Sequence, residues 1–320
     1  MTEPKRRVVI AGGSGHLGRA LALAVGADER FEVRALSSRA GPALEAGGWR
    51  CDLTSIADAE VALAGADTVV FLARTTTPRA RLLQGALADL DALMADSVSR
   101  AATRVGARHL VFFACGPNDP REVMLRNSGV PMSVLHGGGD DPVKALLDLV
   151  ASASGAPQEK KLSEWSSGEP ALAVSPMGSC VISIQRFERP LTATAEALAR
   201  AYFEWLPSAA PLVRVEHVEL TWQIIVLGTP MLALRLNPGR SEPDCHVLEV
   251  VGGALVAAAS AAGPTPRFEF RVLRDSSMVV ALIDFAPSMP WPLYRVQASV
   301  HARVMRLYGQ ALESKTLVPA

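Results

Sequence analysis

The chain has 320 residues, long enough for one large domain or two ordinary ones with a sizeable buried core. Apolar residues make up 49% of it and charged residues 20%, which excludes an intrinsically disordered chain. The 32 basic and 32 acidic residues balance, so no net field draws the chain to a polyanion, and no nucleic-acid partner is expected.

Cys51, Cys115, Cys180 and Cys245 stand singly, without the paired spacing of a zinc site or a disulfide framework, so no metal is expected and a reducing cytoplasm suits them. The first seven residues lead straight into a short strand pattern, with no signal-peptide h-region. The longest apolar runs, 224–234 and 250–262, fall short of the roughly 20 residues that span a bilayer. No transmembrane span is expected. Peripheral membrane contact and homo-oligomer formation stay open.

In chain order, strands are predicted at 8–11, 31–36, 48–52, 68–73, 109–114 and 132–135. Between them Leu17, Ala20, Leu21, Ala24 and Val25 recur at helical spacing, as do Leu87, Leu90, Leu93, Met94 and Val98. Short β-branched runs alternating with helices predict an α/β class, a doubly wound parallel sheet of Rossmann type, over residues 1–150. A glycine run, a helix near 143–153 and a polar stretch mark 151–178 as a linker. Residues 179–320 change order: a strand at 179–186, a helix at 192–205 closed by Pro207, several strands between 212 and 284, and a final helix over 292–312. Strands grouped between helices predict a second, α+β domain. In the final helix Val296, Val300, Val304, Leu307 and Tyr308 share one face opposite Arg295, Arg303 and Arg306, which fits a helix packed on a sheet more simply than a membrane-surface helix.

Residues 8–18 read Val-Val-Ile-Ala-Gly-Gly-Ser-Gly-His-Leu-Gly. Gly13-x-Gly15-x-x-Gly18 follows a strand, opens a helix and starts the βαβ series, which is the context the dinucleotide fingerprint requires. Glycine supplies unusual backbone angles and lets pyrophosphate approach the main chain, and the helix start offers N–H groups and positive charge. Gly12, Gly13, Ser14, Gly15, His16, Leu17 and Gly18 are therefore the expected phosphate site. The second strand ends Ser37-Ser38-Arg39 with no carboxylate for a ribose 2′-hydroxyl. Ser38 and Arg39 suit a 2′-phosphate, so NADP(H) is favoured over NAD(H), although Arg39 also reads as a solvated loop charge.

With Cys51-Asp52-Leu53 after the third strand and Val69-Val70-Phe71-Leu72-Ala73 at the fourth, the first half resembles the extended and atypical short-chain dehydrogenases/reductases. That resemblance implies that Asp52 and Leu53 lie near the adenine and Ala73 beside the ribose and nicotinamide. The run from Glu122 through Leu125, Ser128-Gly129-Val130-Pro131 and Val134-Leu135 resembles the helix and strand that follow the active site in that branch. The superfamily's tyrosine with a lysine four residues on is missing: Tyr202, Tyr294 and Tyr308 are followed at that spacing by Leu206, Ala298 and Leu312. Cys115 stands where a serine is expected.

A proton donor must then come from elsewhere. His136, after the sixth strand, and Lys144 are the catalytic candidates by position, because histidine exchanges protons near neutral pH; a structural histidine is the plainer alternative. Cys115 as nucleophile lacks an activating motif. Arg74 and the Thr75–Thr77 hydroxyls could meet the nicotinamide ribose or substrate, or form a solvated loop. The order strand, helix, several strands and long last helix makes the second half similar to the helix-grip fold of START-type domains, which implies an apolar cavity. The leading functional expectation is an NADPH-dependent reductase of an apolar, aromatic or polyketide-like molecule. A non-catalytic NADP(H) sensor and a carrier or assembly factor with a structural nucleotide are the alternatives.

Overall fold

The computed structural model describes residues 4–38, 48–75, 80–116, 119–137, 141–153, 156–161, 180–188, 193–257 and 264–314. It divides into two compact units, Met1–Thr76 with Leu90–Leu172, and Thr77–Asp89 with Ala173–Ala320.

The first unit begins β1 (Arg6–Ala11), α1 (His16–Gly26), β2 (Phe31–Ser37), β3 (Gly48–Arg50), α2 (Ile56–Leu63) and β4 (Thr68–Phe71). The chain then contributes β5 (Leu82–Gln84) to the second unit. It returns as α3 (Leu87–Arg104), β6 (His109–Ala114), α4 (Pro120–Arg126), β7 (Met132–His136), α5 (Pro142–Ala151) and β8 (Glu159–Lys161). The sheet order is β3-β2-β1-β4-β6-β7-β8, with every pair parallel. The expected doubly wound parallel sheet is present. Val8, Ile10, Val70, Val111 and Leu135 face Leu21 and Val25 of α1 and Leu146 and Leu149 of α5. The alternate residues Val9, Val69, Phe71 and Phe112 are also fully buried. Burial on both faces explains why these strands read as unbroken apolar runs.

The second unit continues with β9 (Val181–Glu188), α6 (Ala195–Ala209), β10 (Val213–Val218), β11 (Thr221–Val226), β12 (Thr229–Leu236), a 3-10 turn at Pro238–Arg240, β13 (Cys245–Gly252), β14 (Arg267–Val272), β15 (Ser277–Phe285) and α7 (Trp291–Glu313). β10 to β15 form an antiparallel meander in sequence order. β9 adds antiparallel to β15, and β5 adds parallel to β9. The core is aromatic. The Tyr202 ring on α6 lies 5.1 Å from Tyr308, 5.2 Å from Phe203, 5.6 Å from Phe270 and 5.7 Å from Phe268. These edge-on and tilted pairs match the preferred geometry of ring quadrupoles. β14 alternates Phe268 and Phe270 toward that core with Arg267, Glu269 and Arg271 on its opposite face, where all three are also buried. Glu269 accepts from Arg267 Nε at 3.2 Å and from Arg271 Nε at 2.5 Å.

Four elements differ from the sequence expectation. β5 falls where no element is predicted, and β8 lies within the predicted linker 151–178. Pro207 lies inside α6 rather than beyond it, removing only the hydrogen bond to the Phe203 carbonyl in the last turn. α7 buries Tyr294, Ala298, Met305, Tyr308 and Leu312, while Val296 and Val300 are 66% and 58% exposed. The tyrosines set that orientation, since Tyr308 Oη donates to Leu198 O at 2.8 Å.

Candidate cofactor site and the carboxyl edge of the parallel sheet

The glycine turn is formed as its sequence requires. Gly12 has φ +97°, and a Cβ there would meet the Ala73 backbone nitrogen at 2.8 Å. A Cβ on Gly13 would meet Ala35 Cβ at 2.6 Å, and one on Gly18 would meet Gly12 O at 2.2 Å. The turn is held by Gly13 N–H donating to Leu36 O and Gly15 N–H to Gly12 O. Gly15 is the N-cap of α1, has no side chain to cap it, and the first turn carries no acidic residue. Helix geometry leaves the N–H groups of His16, Leu17 and Gly18 without intrahelical acceptors. This cradle fits a pyrophosphate: close backbone approach, free donors and the positive end of the helix dipole coincide.

Around the cradle, Ser38 is exposed just beyond β2. Arg39, Thr76 and Thr77 lie outside the described residues. Asp52 turns inward on its own loop, accepting from Thr54 N–H at 3.1 Å and Thr54 Oγ1 at 2.7 Å, and Leu53 is buried. Ala73 is buried against Gly12, and Arg74 is exposed next to it.

At the carboxyl ends of β4 and β6 the structure assembles a polar group that spacing did not reveal. Asp119 caps α4 and grips Arg121, accepting from its Nε at 2.9 Å and Nη2 at 2.5 Å. Arg121 Nη1 donates to Ala73 O at 2.8 Å, fixing the residue beside the glycine turn. Both are buried, and Cys115 N–H donates to Asp119 Oδ2 at 3.1 Å. Burial raises the Asp119 carboxyl, but the Arg121 hydrogen bond and charge overcome it and hold it below the ordinary value. Asp91 on α3 is buried as well, accepts Thr75 N–H at 2.7 Å, and is pushed upward by burial. The sequence signal for Arg121 was the Asp119-Pro120 helix start with Glu122 at the third helical position. Asp91 had none, because nothing in a helical pattern marks a carboxylate as inward.

His136 ends β7, and its ring comes together with the carboxylates of Glu122 on α4 and Glu159 on β8, their ligand atoms within 4.8 Å of one another. Arg126 Nη2 already donates to both carboxylates at 2.6 Å. Lys144 is exposed in the first turn of α5, its N–H taken by Asp141 Oδ1 at 2.8 Å. The three tyrosines all lie in the second unit and are buried. Burial pushes Tyr294 up to about 12 and also raises Tyr202 and Tyr308, which makes each a poorer partner for proton exchange.

The sheet order, glycine turn and open helix start define the first unit as a doubly wound Rossmann-type fold with a dinucleotide-type glycine turn. Residues 8–128 match the model of the NAD dependent epimerase/dehydratase family. The sequence matches none of the curated proteins at a significant level. Among solved structures, the chain is similar to UDP-N-acetylglucosamine 4-epimerase from Bacillus cereus, at 13% identity over 48% of this chain and 78% of that one, with a TM-score of 0.39. A nucleoside-diphosphate-sugar epimerase from Staphylococcus aureus aligns at 13% identity over 50% and 71%, TM-score 0.40. The Bordetella bronchiseptica enzyme WbmG, in complex with NAD and UDP, aligns at 18% over 42% and 54%, TM-score 0.35. Among the described residues no helix is long and apolar enough to cross a membrane.

Proposed function

We propose that the protein is an NAD(P)H-dependent reductase, with NADPH preferred, of a small apolar carbonyl compound of aromatic or polyketide-like type. The observation that carries the reading is the uncapped start of α1 behind a glycine turn that no side chain can enter. Gly12 to Gly18 hold the pyrophosphate, and Ser38 with Arg39 receives a ribose 2′-phosphate. When bound, the nicotinamide supplies the hydride. Arg121 fixes the Ala73 carbonyl, so the strand end that borders the cofactor is rigid. Asp91, whose carboxyl burial pushes above the ordinary aspartate value, is the first proton donor to test. His136, with Glu122 and Glu159 beside it, is the second proton donor to test.

One observation favours a second reading, a non-catalytic NADP(H) sensor. α4, the helix that follows β6 and Cys115, has seven residues and contains neither tyrosine nor lysine.

The test has two stages. Fluorescence titration with NADPH and NADH measures binding, and absorbance at the reduced nicotinamide band follows oxidation in the presence of aldehydes, quinones and enones. Turnover that Asp91→Asn abolishes while NADPH affinity is kept supports the reductase reading; loss with His136→Gln instead moves the proton to that residue. Tight binding with no oxidation favours the sensor. Equal affinity for NADPH and NADH removes the 2′-phosphate argument, and binding of neither removes both readings.

A further inference from the structure

The second sheet ends in two edges of different character. At one, β5 is three residues long, and so short a strand offers little to another chain. At the other, β10 runs for six residues without proline or lysine, and all six pair with β11 in unbroken register, so no bulge twists this edge away. Leu227 N–H donates to Leu212 O at 3.3 Å, which makes that pair a hydrogen-bonded one. Hydrogen-bonded and non-hydrogen-bonded pairs alternate along an antiparallel ladder. Arg214, Glu216 and Val218 therefore bond to β11, while Val213, Val215 and His217 turn their N–H and C=O groups to the open side. Val213 N–H is drawn back onto Ala210 O at 2.8 Å; the other groups face the side where the sheet stops.

The side chains alternate in step with the backbone. Val213 and Val215 pack on the core, and the His217 ring stacks on Trp222 at 3.9 Å. On the other face Leu212, one residue ahead of the strand, is 65% exposed and Val218 is 59% exposed. Between them Arg214 Nη2 donates to Glu216 Oε1 at 2.8 Å along the strand, both side chains open to solvent. A strand laid antiparallel on this edge bonds only where outward-turned residues meet outward-turned residues. For a second copy of β10, the centres near the middle of the strand that meet this condition are Arg214, Val215 and Glu216. Centring on Arg214 sets arginine against arginine, and centring on Glu216 sets carboxylate against carboxylate. Centring on Val215 sets Arg214 against Glu216 and Leu212 against Val218, each in both directions, while Val215 meets its own counterpart. The opposed charges then fall at non-hydrogen-bonded positions, where side chains come closest. Val215 N–H meets the Val215 carbonyl of the second copy, and His217 N–H meets its Val213 carbonyl. Exposed ion pairs contribute little affinity, so the backbone bonds hold such a pair of strands together and the charges select the register.

We propose that the β10 edge is the interface of a homodimer, in which two copies of the chain join antiparallel about a twofold axis through Val215 and continue the second sheet from one chain into the other. The occupant is a second copy because the charges and apolar flanks of this strand match their own reversed order, as a twofold interface requires. Every residue involved lies in the second unit, so the proposal does not depend on the reductase reading.

Sedimentation velocity of the full-length protein over a concentration series tests this. The unaltered protein is expected to pass from monomer to dimer as concentration rises. Hydrogen exchange at the Val215 and His217 amides should slow in parallel, while the Arg214 and Glu216 amides, already bonded to β11, change little. Arg214→Glu and Glu216→Arg each set like charges opposite one another at both symmetric positions, and each is expected to weaken the dimer at least about tenfold. The double exchange R214E/E216R should return the affinity to that of the unaltered protein. The two single variants mixed in equal amounts should form a mixed dimer, because their charges are again opposed; a residue that served only folding would not produce that recovery. Val215→Pro removes an outward N–H and no bond to β11, so it is expected to abolish the dimer with far-ultraviolet circular dichroism unchanged. Should that variant not fold, the exposed charge variants decide the matter. A chain still monomeric at about 100 μM, above the Kd of a specific dimer, overturns the proposal. A dimer as tight in both single charge variants as in the unaltered protein, or one that survives in folded Val215→Pro, overturns it as well. NADPH titration of these variants should match the unaltered protein, so failure here is distinguishable from failure of the cofactor reading.

Discussion

Replacing Gly18 by alanine sets two forces on α1 against each other. In an open helix the exchange stabilises by about 1 kcal/mol, because alanine loses less backbone entropy than glycine. Here the methyl would stand 2.2 Å from Gly12 O and 2.8 Å from Gly13 Cα, and both are backbone atoms that cannot swing aside. Overpacking of this kind costs about 1–3 kcal/mol, so the expected net loss is up to about 2 kcal/mol, or up to roughly 8 °C in Tm for a unit of this size. The effect on cofactor should be larger. The start of α1 must move away from the turn, and N–H bonds to a charged phosphate are worth about 1.5–3 kcal/mol each, so losing one weakens NADPH about 10- to 100-fold. Thermal unfolding with and without NADPH, together with a fluorescence titration, measures both. If Gly18→Ala unfolds no earlier than the unaltered protein and binds NADPH with the same Kd, the helix start is not the phosphate site.

Removing the Arg121 side chain with Arg121→Met leaves Asp119 buried without its counter-charge, and urea unfolding should show a loss of about 3–5 kcal/mol; a loss below about 1 kcal/mol would mean that the pair is solvated. Asp119 and Glu269 are both held below ordinary carboxyl values by arginines that outweigh the upward push of burial. Their contributions are therefore complete above the unfolded carboxyl pKa of about 4 and disappear as pH falls through the lower folded values. The urea midpoint should begin to fall below about pH 6.5, because burial keeps His109, His246 and His301 neutral in the folded chain while they take up protons on unfolding. Asp119→Asn should flatten only the part of the descent below about pH 4. Tyr308→Phe removes the bond to Leu198 O and should cost about 1–2 kcal/mol, with near-ultraviolet circular dichroism unchanged; no change in the unfolding midpoint would count against that bond as the anchor of α7.

Much of the first unit was legible because parallel strands buried on both faces leave continuous apolar runs, and β6 was read at its observed limits, 109–114. β5 and β8 were invisible for a related reason. Three residues carry no countable period, and Glu159-Lys160-Lys161 is polar throughout. The inward face of α7 was misjudged because valines score as more apolar than tyrosines, whereas the tyrosines, with more surface to bury and a hydroxyl to anchor, turned the helix. α3 presents a similar difficulty: Asp91, Asp96, Ser97, Ser99 and Arg100 are all buried on it, with Asp96 and Arg100 paired at 2.9 Å. Such residues read as a solvated face from sequence. The glycine turn was legible since backbone requirements are local, while the Asp119–Arg121–Ala73 arrangement joins residues up to 48 positions apart.

Because Leu82 pairs with Val181, β5 cannot meet its neighbour β9 until the ribosome has made nearly a hundred further residues. At about 5–20 residues per second that is an interval of roughly 5–20 s in which the β5 segment is present and its neighbour is not. A fragment cut at residue 179 would lack β5 altogether and would present β9 as a bare edge, with unpaired N–H and C=O groups open to another chain. The two units thus share one folding schedule, although each has its own core. The natural place to divide this protein for expression is nowhere along its length, and a circularly permuted chain that joins 80–88 directly ahead of β9 is the one rearrangement that would let the second unit be made by itself.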